Sequence, residues 1–588
     1  MGVNGEWRKK AICATVLTQS SQEGFTVDNL RSRLVPATLI AVLLAVIITF
    51  DETAATQETT VAGGVDKVFE RWNTRASPGC AVAIGQNGRV VLKRAYGVAD
   101  LEDGTPIRTD TIFEAGSVAK QFTAAAIALL VQEGKVSLDD PARKYLPEVP
   151  DFGTPILVRH LLTHTSGLRS QWPLLILAGR PPGSVVHTIG EILDLVSRQK
   201  RLNFPPGEEF LYNNTAFTLL GVVVQRVSGQ TFQAFSEVRL FKPIGMTRTT
   251  WRADHTAIVK GRATAYGPGP DGAFHTEMPF TDVVGNGGLL TTVEDLFLWN
   301  ENLDSPRVGG RGMVEFLQTR GTLNDGFVTR YGRGLYVGEY RGLREVYHGG
   351  STAGYRAFVT RFPDRRLSIS ILCNAGNAPE RLGHQVADIF LEGEFKDVPP
   401  RPAVTLAVDQ LKSKSGLFRN PSTDAVLRVD FDGRTLRVGD SELVAIDPNH
   451  FRNTAGDVEF VFEPPGSGGP LRLHVTSSGA KPTTWVAAPA ASPTPAELAD
   501  YVGTYYSDEL DVKYDVWVND TKLALRHRPE PAVALGPAYA DAFDFGEGRV
   551  IRFTRDQAAK VDGLEIFAGR VRHLRFERLA TVAAGTER

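Results

Sequence analysis

Three serines in this chain stand three residues ahead of a lysine: Ser117–Lys120, Ser197–Lys200 and Ser478–Lys481. On a helix that spacing puts both side chains on one face, one turn apart. A serine hydroxyl is a weak nucleophile until a neighbouring base takes its proton, and a lysine becomes that base when burial lowers its pKa. Only Ser117 precedes a long apolar run, Phe122–Gln132, that could bury the lysine. Ser197–Lys200 reads as a charged helix end, and Ser478–Lys481 is broken by Gly479 in a loop. Gly116 suits a helix start, where free N–H groups favour developing negative charge.

Two further groups carry suitable chemistry. Tyr212-Asn213-Asn214 is the only Tyr-x-Asn. A turn there can point Tyr212 and Asn214 into one cleft, with Asn213 as spacer. A phenol beside a lysine ammonium has its pKa lowered and can shuttle protons. His348-Gly349-Gly350-Ser351 is the only His-x-Gly, and its glycines let a substrate backbone lie close. Plainer readings stand beside these. In these His348 caps a strand, His164 reads as a structural residue bonding loop backbone, and Trp299 reads as core.

The surrounding pattern predicts the elements that position these groups. Alternating runs Gly79–Gly85 and Arg89–Arg94 flank Gln86-Asn87-Gly88, a hairpin signal. Apolar periodicity predicts helices at Phe122–Gln132, Glu191–Gln199, Thr215–Val227 and Val293–Leu303. Leu343–Tyr347, Tyr355–Phe362 and Leu367–Cys373 read as strands in series. Strands at both ends and helices between them predict an α+β domain whose terminal strands share one sheet. A Pro-rich linker, Val398–Pro402, ends it, and predicts that each side folds on its own core. Beyond it helix signals nearly vanish. Short alternating strands fill two similar halves, about 403–488 and 497–588, opened by Gly416-Leu417-Phe418 and Gly503-Thr504-Tyr505. Each half reads as a four- or five-strand meander, and the two together are expected to close one barrel of about eight strands. Two separate small sheets are the alternative.

The bulk numbers exclude other classes. With 588 residues the chain needs several domains. Its 42% hydrophobic and 22% charged residues are ordinary for a globular protein, and a net charge of −2 gives no case for a nucleic-acid partner. The cysteines are Cys13, Cys80 and Cys373, with no metal-ligand spacing. Cys80 and Cys373 lie in strand-like runs and read as two buried small hydrophobes rather than a disulfide framework. At the N-terminus, Arg31 and Arg33 precede an apolar run, Leu34–Phe50, and Thr53-Ala54-Ala55 follows. Residues 1–60 therefore read as an extension with a secretory signal over 34–50. The alternative is an uncleaved anchor that gives membrane association. Either places the protein outside the cytoplasm: periplasmic, secreted or anchored.

Ser-x-x-Lys, Tyr-x-Asn and His-x-Gly at 117, 212 and 348, in that order, resemble the serine β-lactamase and penicillin-binding protein family. Tyr in the second motif resembles its class C branch, which includes carboxylesterases and D-amino peptidases. Other phrases agree, among them His160–Leu168, Ile244-Gly245-Met246 and Gly287-Gly288-Leu289. The resemblance covers 61–397 and implies the β-lactamase/transpeptidase-like fold, an antiparallel sheet flanked by helices with an all-helical region. The barrel region, 403–588, is similar to the lipocalin-like domain appended to some members. Lys414-Ser415-Gly416 looks closer to the family's Lys-Thr-Gly motif but lies past the linker, and is rejected.

The resemblance implies an acyl-enzyme on Ser117, with Lys120 and Tyr212 sharing proton traffic. Asn214, His348, Gly350 and Ser351 would position substrate, and the N–H groups of Ser117 and Ser351 would form the oxyanion hole. It implies no metal and no organic cofactor, and a small-molecule or peptide substrate. One departure matters. Members that bind β-lactams well carry Lys in the third motif, where this chain has His348, a group charged only below about pH 6.5. The expectation is an esterase or D-amino-acid amidase or peptidase. A β-lactamase or DD-carboxypeptidase is the alternative, and a non-catalytic penicillin-binding sensor a further one. Specificity is expected in cleft loops such as Arg169–Val186.

Overall fold

The computed structural model describes residues 61–580 apart from 377, 397–400, 465–468, 478, 528–530 and 547. The apolar run 34–50, Cys13, Ser478 and most of the linker lie outside the described residues. Among the described residues no helix is long and apolar enough to cross a membrane.

The first hairpin forms as its sequence requires. Strands β1 (Cys80–Gln86) and β2 (Arg89–Tyr96) are joined by Asn87 and Gly88, both with positive φ, the conformation a tight two-residue turn demands. The helices follow in α1 (Ala119–Gln132), α2 (Ile189–Ser197), α3 (Asn214–Ser228) and α4 (Val293–Asp304). Strands β3 (Tyr336–Tyr340), β4 (Leu343–Thr352), β5 (Tyr355–Phe362) and β6 (Leu367–Cys373) precede α5 (Pro379–Phe390).

The N-terminal hairpin joins the later strands in one six-stranded sheet, ordered β2-β1-β6-β5-β4-β3, so the terminal strands share a sheet. Both β1 and β6 are buried almost throughout, because each face is covered. Alternate residues feed two cores. Cys80, Val82 and Ile84 pack with Leu382 and Val386 of α5, while Ala81 and Ala83 face the cluster that holds Leu296 and Trp299 of α4 and most of α1.

That register corrects the cysteine reading. Cys80 pairs with Cys373 across β1 and β6, and the two form a disulfide. Their separation of 293 residues hid the pairing, which only the sheet order creates.

The C-terminal region is all-β, but it holds two barrels where one was expected. Strands β7 (Gly416–Arg419) to β14 (Thr483–Ala487) close one eight-stranded barrel, and β15 (Gly503–Ser507) to β22 (Leu574–Arg578) close another. Each half has more strands than its sequence suggested, including short ones such as His450–Asn453 and Ala542–Asp544. Eight strands suffice to close a barrel without a partner half and leave no exposed edge.

The core of the second barrel is continuous with that of the catalytic region. One continuous hydrophobic cluster runs from Phe122 and Leu174 to Tyr514 and Phe576. A buried ion pair, Arg169 to Glu509 at 2.6 Å, crosses the same junction. The first barrel keeps a core of its own around Phe451 and Phe462.

Candidate active site

Ser117 lies in a 3₁₀ turn, Gly116–Val118, that leads directly into α1. Lys120 follows one turn later and is fully buried under the apolar helix. Its Nζ lies 3.0 Å from Ser117 Oγ, 2.9 Å from Asn214 Oδ1 and 2.6 Å from the carbonyl oxygen of Asn286. The two carbonyl oxygens accept two N–H bonds. In the neutral amine the remaining direction, the lone pair, therefore faces the serine hydroxyl. Burial, and after it the charge of Arg570, hold the Lys120 ammonium well below its ordinary pKa. The geometry and the electrostatics both favour a base.

Asn214 opens α3, and Asn213 caps it. The Asn213 side chain accepts a bond from the Ala216 N–H at 2.9 Å, so this residue is the helix N-cap rather than a spacer. The Asn213 N–H in turn donates to His164 Nδ1 at 3.1 Å. His164 is buried, with its ring 4.3 Å from that of Tyr212 and 4.5 Å from that of Tyr331. Burial keeps it neutral, and it holds the Tyr212 segment in place.

Tyr212 stands over the dyad, its ring centroid 4.8 Å from Lys120 Nζ. The expected lowering of its pKa is reversed: burial pushes the phenol up, with the hydroxyl of Ser117 acting against it. A buried phenol kept protonated is a donor, not a phenolate. Its hydroxyl makes no hydrogen bond of good geometry at rest and is therefore available.

The third motif sits on β4, which runs past the Ser117 turn. A Cβ on Gly350 would lie 2.0 Å from the Ala115 carbonyl, and one on Gly116, where φ is +51°, would lie 2.6 Å from the Ser351 nitrogen. Only glycine at both positions allows this approach, which packs the backbone of the Ser117 turn against that of Gly350 and Ser351. His348 departs from expectation. It is buried, and its Nδ1–H donates to the Gly349 carbonyl at 2.6 Å while Nε2 accepts from the Tyr331 hydroxyl at 3.1 Å. Burial, then the charge of Lys120, push its pKa down to about 3. An imidazole with both nitrogens engaged and no charge at neutral pH cannot anchor an anion.

Ser117 lies where two cavities meet. One, of about 360 Å³, is lined by Trp172, Glu277, Met278 and Phe280. The other, of about 1250 Å³, runs past Tyr336, His348 and Glu380 to Arg570. Of the expected specificity segment, Trp172, Pro182 and Gly183 line the smaller cavity.

The other serine–lysine pairs do not form sites. Ser197 Oγ donates to the Asp194 carbonyl at 2.7 Å, and exposed Lys200 pairs with Asp508. Lys481 pairs with Asp325, and Ser478 lies outside the described residues. Acid and histidine groups cluster at Asp254, His255 and Asp282, and at Asp424, Glu565 and His573. In the second group Arg552 already bridges Asp424 and Glu565, at 2.7 and 3.0 Å.

Two residues of the site escaped the sequence reading. The Asn286 carbonyl is a backbone group, and its signal is only the Gly-Asn-Gly-Gly run at 285–288. Arg570 comes from the second barrel, and its guanidinium lies 4.8 Å from the Tyr212 ring centroid.

Residues 65–391 match the Beta-lactamase family. A D-aminopeptidase from Brucella anthropi is 32% identical over 314 residues, which cover 53% of this chain and 59% of that protein. The chain thus spans less than two thirds of that relative. A second D-aminopeptidase from the same species is 26% identical over 522 residues, 85% of this chain and 95% of that one. The octameric penicillin-binding protein homologue from Pyrococcus abyssi is similar in fold, with a TM-score of 0.50 and 22% identity over 82% of this chain and 99% of that one.

Proposed function

The chain belongs to the Beta-lactamase family, and from that premise we propose that it is a serine hydrolase that cleaves amide or peptide bonds after a D-amino acid. The observation that carries this reading is the Lys120 amine, 3.0 Å from Ser117 Oγ with two carbonyl oxygens binding its other directions. The D-aminopeptidase relatives support the substrate class.

In this reading Ser117 Oγ attacks the carbonyl carbon as its proton passes to Lys120 Nζ. The tetrahedral oxyanion is held by the Ser117 and Ser351 N–H groups. The carbon–nitrogen bond then breaks, and the proton passes from Lys120, with the Tyr212 hydroxyl as donor, to the leaving amine. Water attacks the acyl-enzyme carbonyl carbon and gives a proton to the same pair, which passes it to Ser117 Oγ as the acyl–oxygen bond breaks and the acid leaves. Asn214 keeps the Lys120 amine aimed at the serine.

The test is release of p-nitroaniline from D- and L-alanyl-p-nitroanilide, with a fluorophosphonate probe to label the nucleophile. Turnover of the D-isomer, one label on Ser117 and loss of both in Ser117→Ala are expected. Labelling that survives Ser117→Ala overturns the assignment, and equal turnover of both isomers overturns the stereochemical part.

We also propose an extracytoplasmic location. The Cys80–Cys373 disulfide supports it, because such bonds persist in oxidising compartments, and so does the charge-then-apolar order of residues 31–55. N-terminal sequencing of the native protein tests it: a mature chain that begins before Leu34 counts against signal cleavage.

A further inference from the structure

With His348 neutral, the third motif offers the cleft no positive charge. A cation is nevertheless supplied over Tyr212 from the second barrel. Arg570 sits in the segment between β21 (Val561–Phe567) and β22 (Leu574–Arg578), beside Ser117, Tyr212 and Asn214 in the wall of the larger cavity.

The segment is fixed rather than loosely draped. The Arg570 carbonyl accepts from the Ser170 N–H at 3.3 Å and from Asn203 Nδ2 at 3.0 Å. Asn203 Oδ1 accepts from the Arg572 N–H at 2.8 Å. Buried Arg169 donates to the carbonyls of Arg572 and His573, at 3.1 and 2.9 Å. A side chain on so tightly held a backbone is pre-organised.

Its neighbours are paired and it is not. Arg169 has Glu509, and Arg572 has Glu209 at 2.9 Å. Among the described residues the Arg570 guanidinium has no carboxylate or hydrogen-bond partner, only the face of the Tyr212 ring. Glu380, Arg381 and Asp457 also line this cavity, but none of them pairs with Arg570. Its charge reaches the reacting groups, since it is one of the forces that disfavour a proton on Lys120.

We propose that Arg570 is a substrate-binding residue that holds the carboxylate of the leaving amino acid, so that the preferred substrates are short peptides whose scissile bond lies next to a free C-terminal carboxylate. The argument rests on the amide-hydrolase reading above. If the Tyr212 hydroxyl hands a proton to the leaving nitrogen, the leaving group lies against Tyr212, and Arg570 stacks on that ring. A carboxylate two bonds from the scissile nitrogen then comes within reach of the guanidinium fork, which matches it with two parallel N–H bonds. The acyl side falls toward the smaller cavity of Trp172, Met278 and Phe280.

The test compares D-alanylglycine with D-alanylglycinamide, which differ only in that carboxylate. With the wild-type chain, kcat/KM is expected to favour the acid. In Arg570→Gln the acid-to-amide ratio should fall about 30-fold, mainly through KM, and Arg570→Lys should keep part of the preference. An unchanged ratio, or a wild-type preference for the amide, overturns the proposal. So does a variant that only moves the pH profile, which would leave Arg570 as a modulator of Lys120. If neither dipeptide is hydrolysed, the amide-hydrolase reading fails separately, and binding decides this one. By calorimetry Ser117→Ala should bind D-alanylglycine about 30-fold more tightly than Ser117→Ala with Arg570→Gln. Equal affinities, or no measurable binding, overturn it.

Discussion

Replacing Glu509 with alanine tests how the second barrel is bound into the catalytic body. The Arg169 and Glu509 side chains are 0% and 2% exposed, and 2.6 Å apart. Without the carboxylate, Arg169 keeps bonds to Gln199 Oε1 and the carbonyls of Arg572 and His573. Nothing among these neutralises its charge, and the Lys200 N–H also loses its acceptor. Removal of one partner of a buried pair costs about 3–5 kcal/mol. If residues 64–588, which cluster as one compact unit, unfold together, the entropy of roughly 500 residues turns that into a drop in Tm of about 3–5 °C. If the second barrel melts first and alone, its smaller entropy turns the same loss into a shift of about 20 °C in that transition. Calorimetric scans distinguish the two. Asp508→Ala is the internal control: its pair with Lys200 crosses the same junction with side chains 52% and 63% exposed, and should be worth less than about 1 kcal/mol. Because Arg169 also holds the backbone that carries Arg570, kcat/KM for D-alanylglycine should fall with stability. A Glu509→Ala chain within about 1 kcal/mol of wild type would refute the reasoning, since the pair would then behave as a solvated one.

Lys120→Ala and Tyr212→Phe should each lower kcat on D-alanyl-p-nitroanilide by about 10²-fold or more. The double variant should lose little beyond the worse single one, because the two groups act as one unit; simple additivity argues for separate roles. In a pH profile, kcat/KM for that anilide should rise as Lys120 loses its proton. Arg570 helps depress the lysine, so Arg570→Gln must move this acid limb to higher pH, and a shift to lower pH contradicts the charge assignment. The Cys80–Cys373 disulfide is fully buried. Mass spectrometry after alkylation should find both thiols labelled only when reductant and denaturant are combined, and Cys373→Ser should cost about 2–5 kcal/mol in a denaturant titration.

The parts of this protein that were legible in its sequence are those set by local rules. Serine and lysine three apart ahead of an apolar run had to share a helix face, and Ser117 and Lys120 do. Asn87 and Gly88 could take the positive φ of a tight turn, and the hairpin followed. Strand Tyr355–Phe362 and strand Leu367–Cys373 were readable residue for residue, because alternation and flanking turns act within a few positions. The order of three motifs was enough to indicate the family.

What the tertiary structure decided is non-local. Cys80 and Cys373 became neighbours only when β1 paired with β6. The strands of each C-terminal half could have closed one barrel or two, since alternation states which face is buried but not which strands pair. The Asn286 carbonyl that orients Lys120 belongs to the backbone and carries no side-chain signature. His348 and Tyr212 kept their places but changed their chemistry, because burial shifts a pKa and burial is a property of packing. Arg570 reaches the site from a different domain, and only packing of the second barrel against the catalytic core brings its charge over Tyr212.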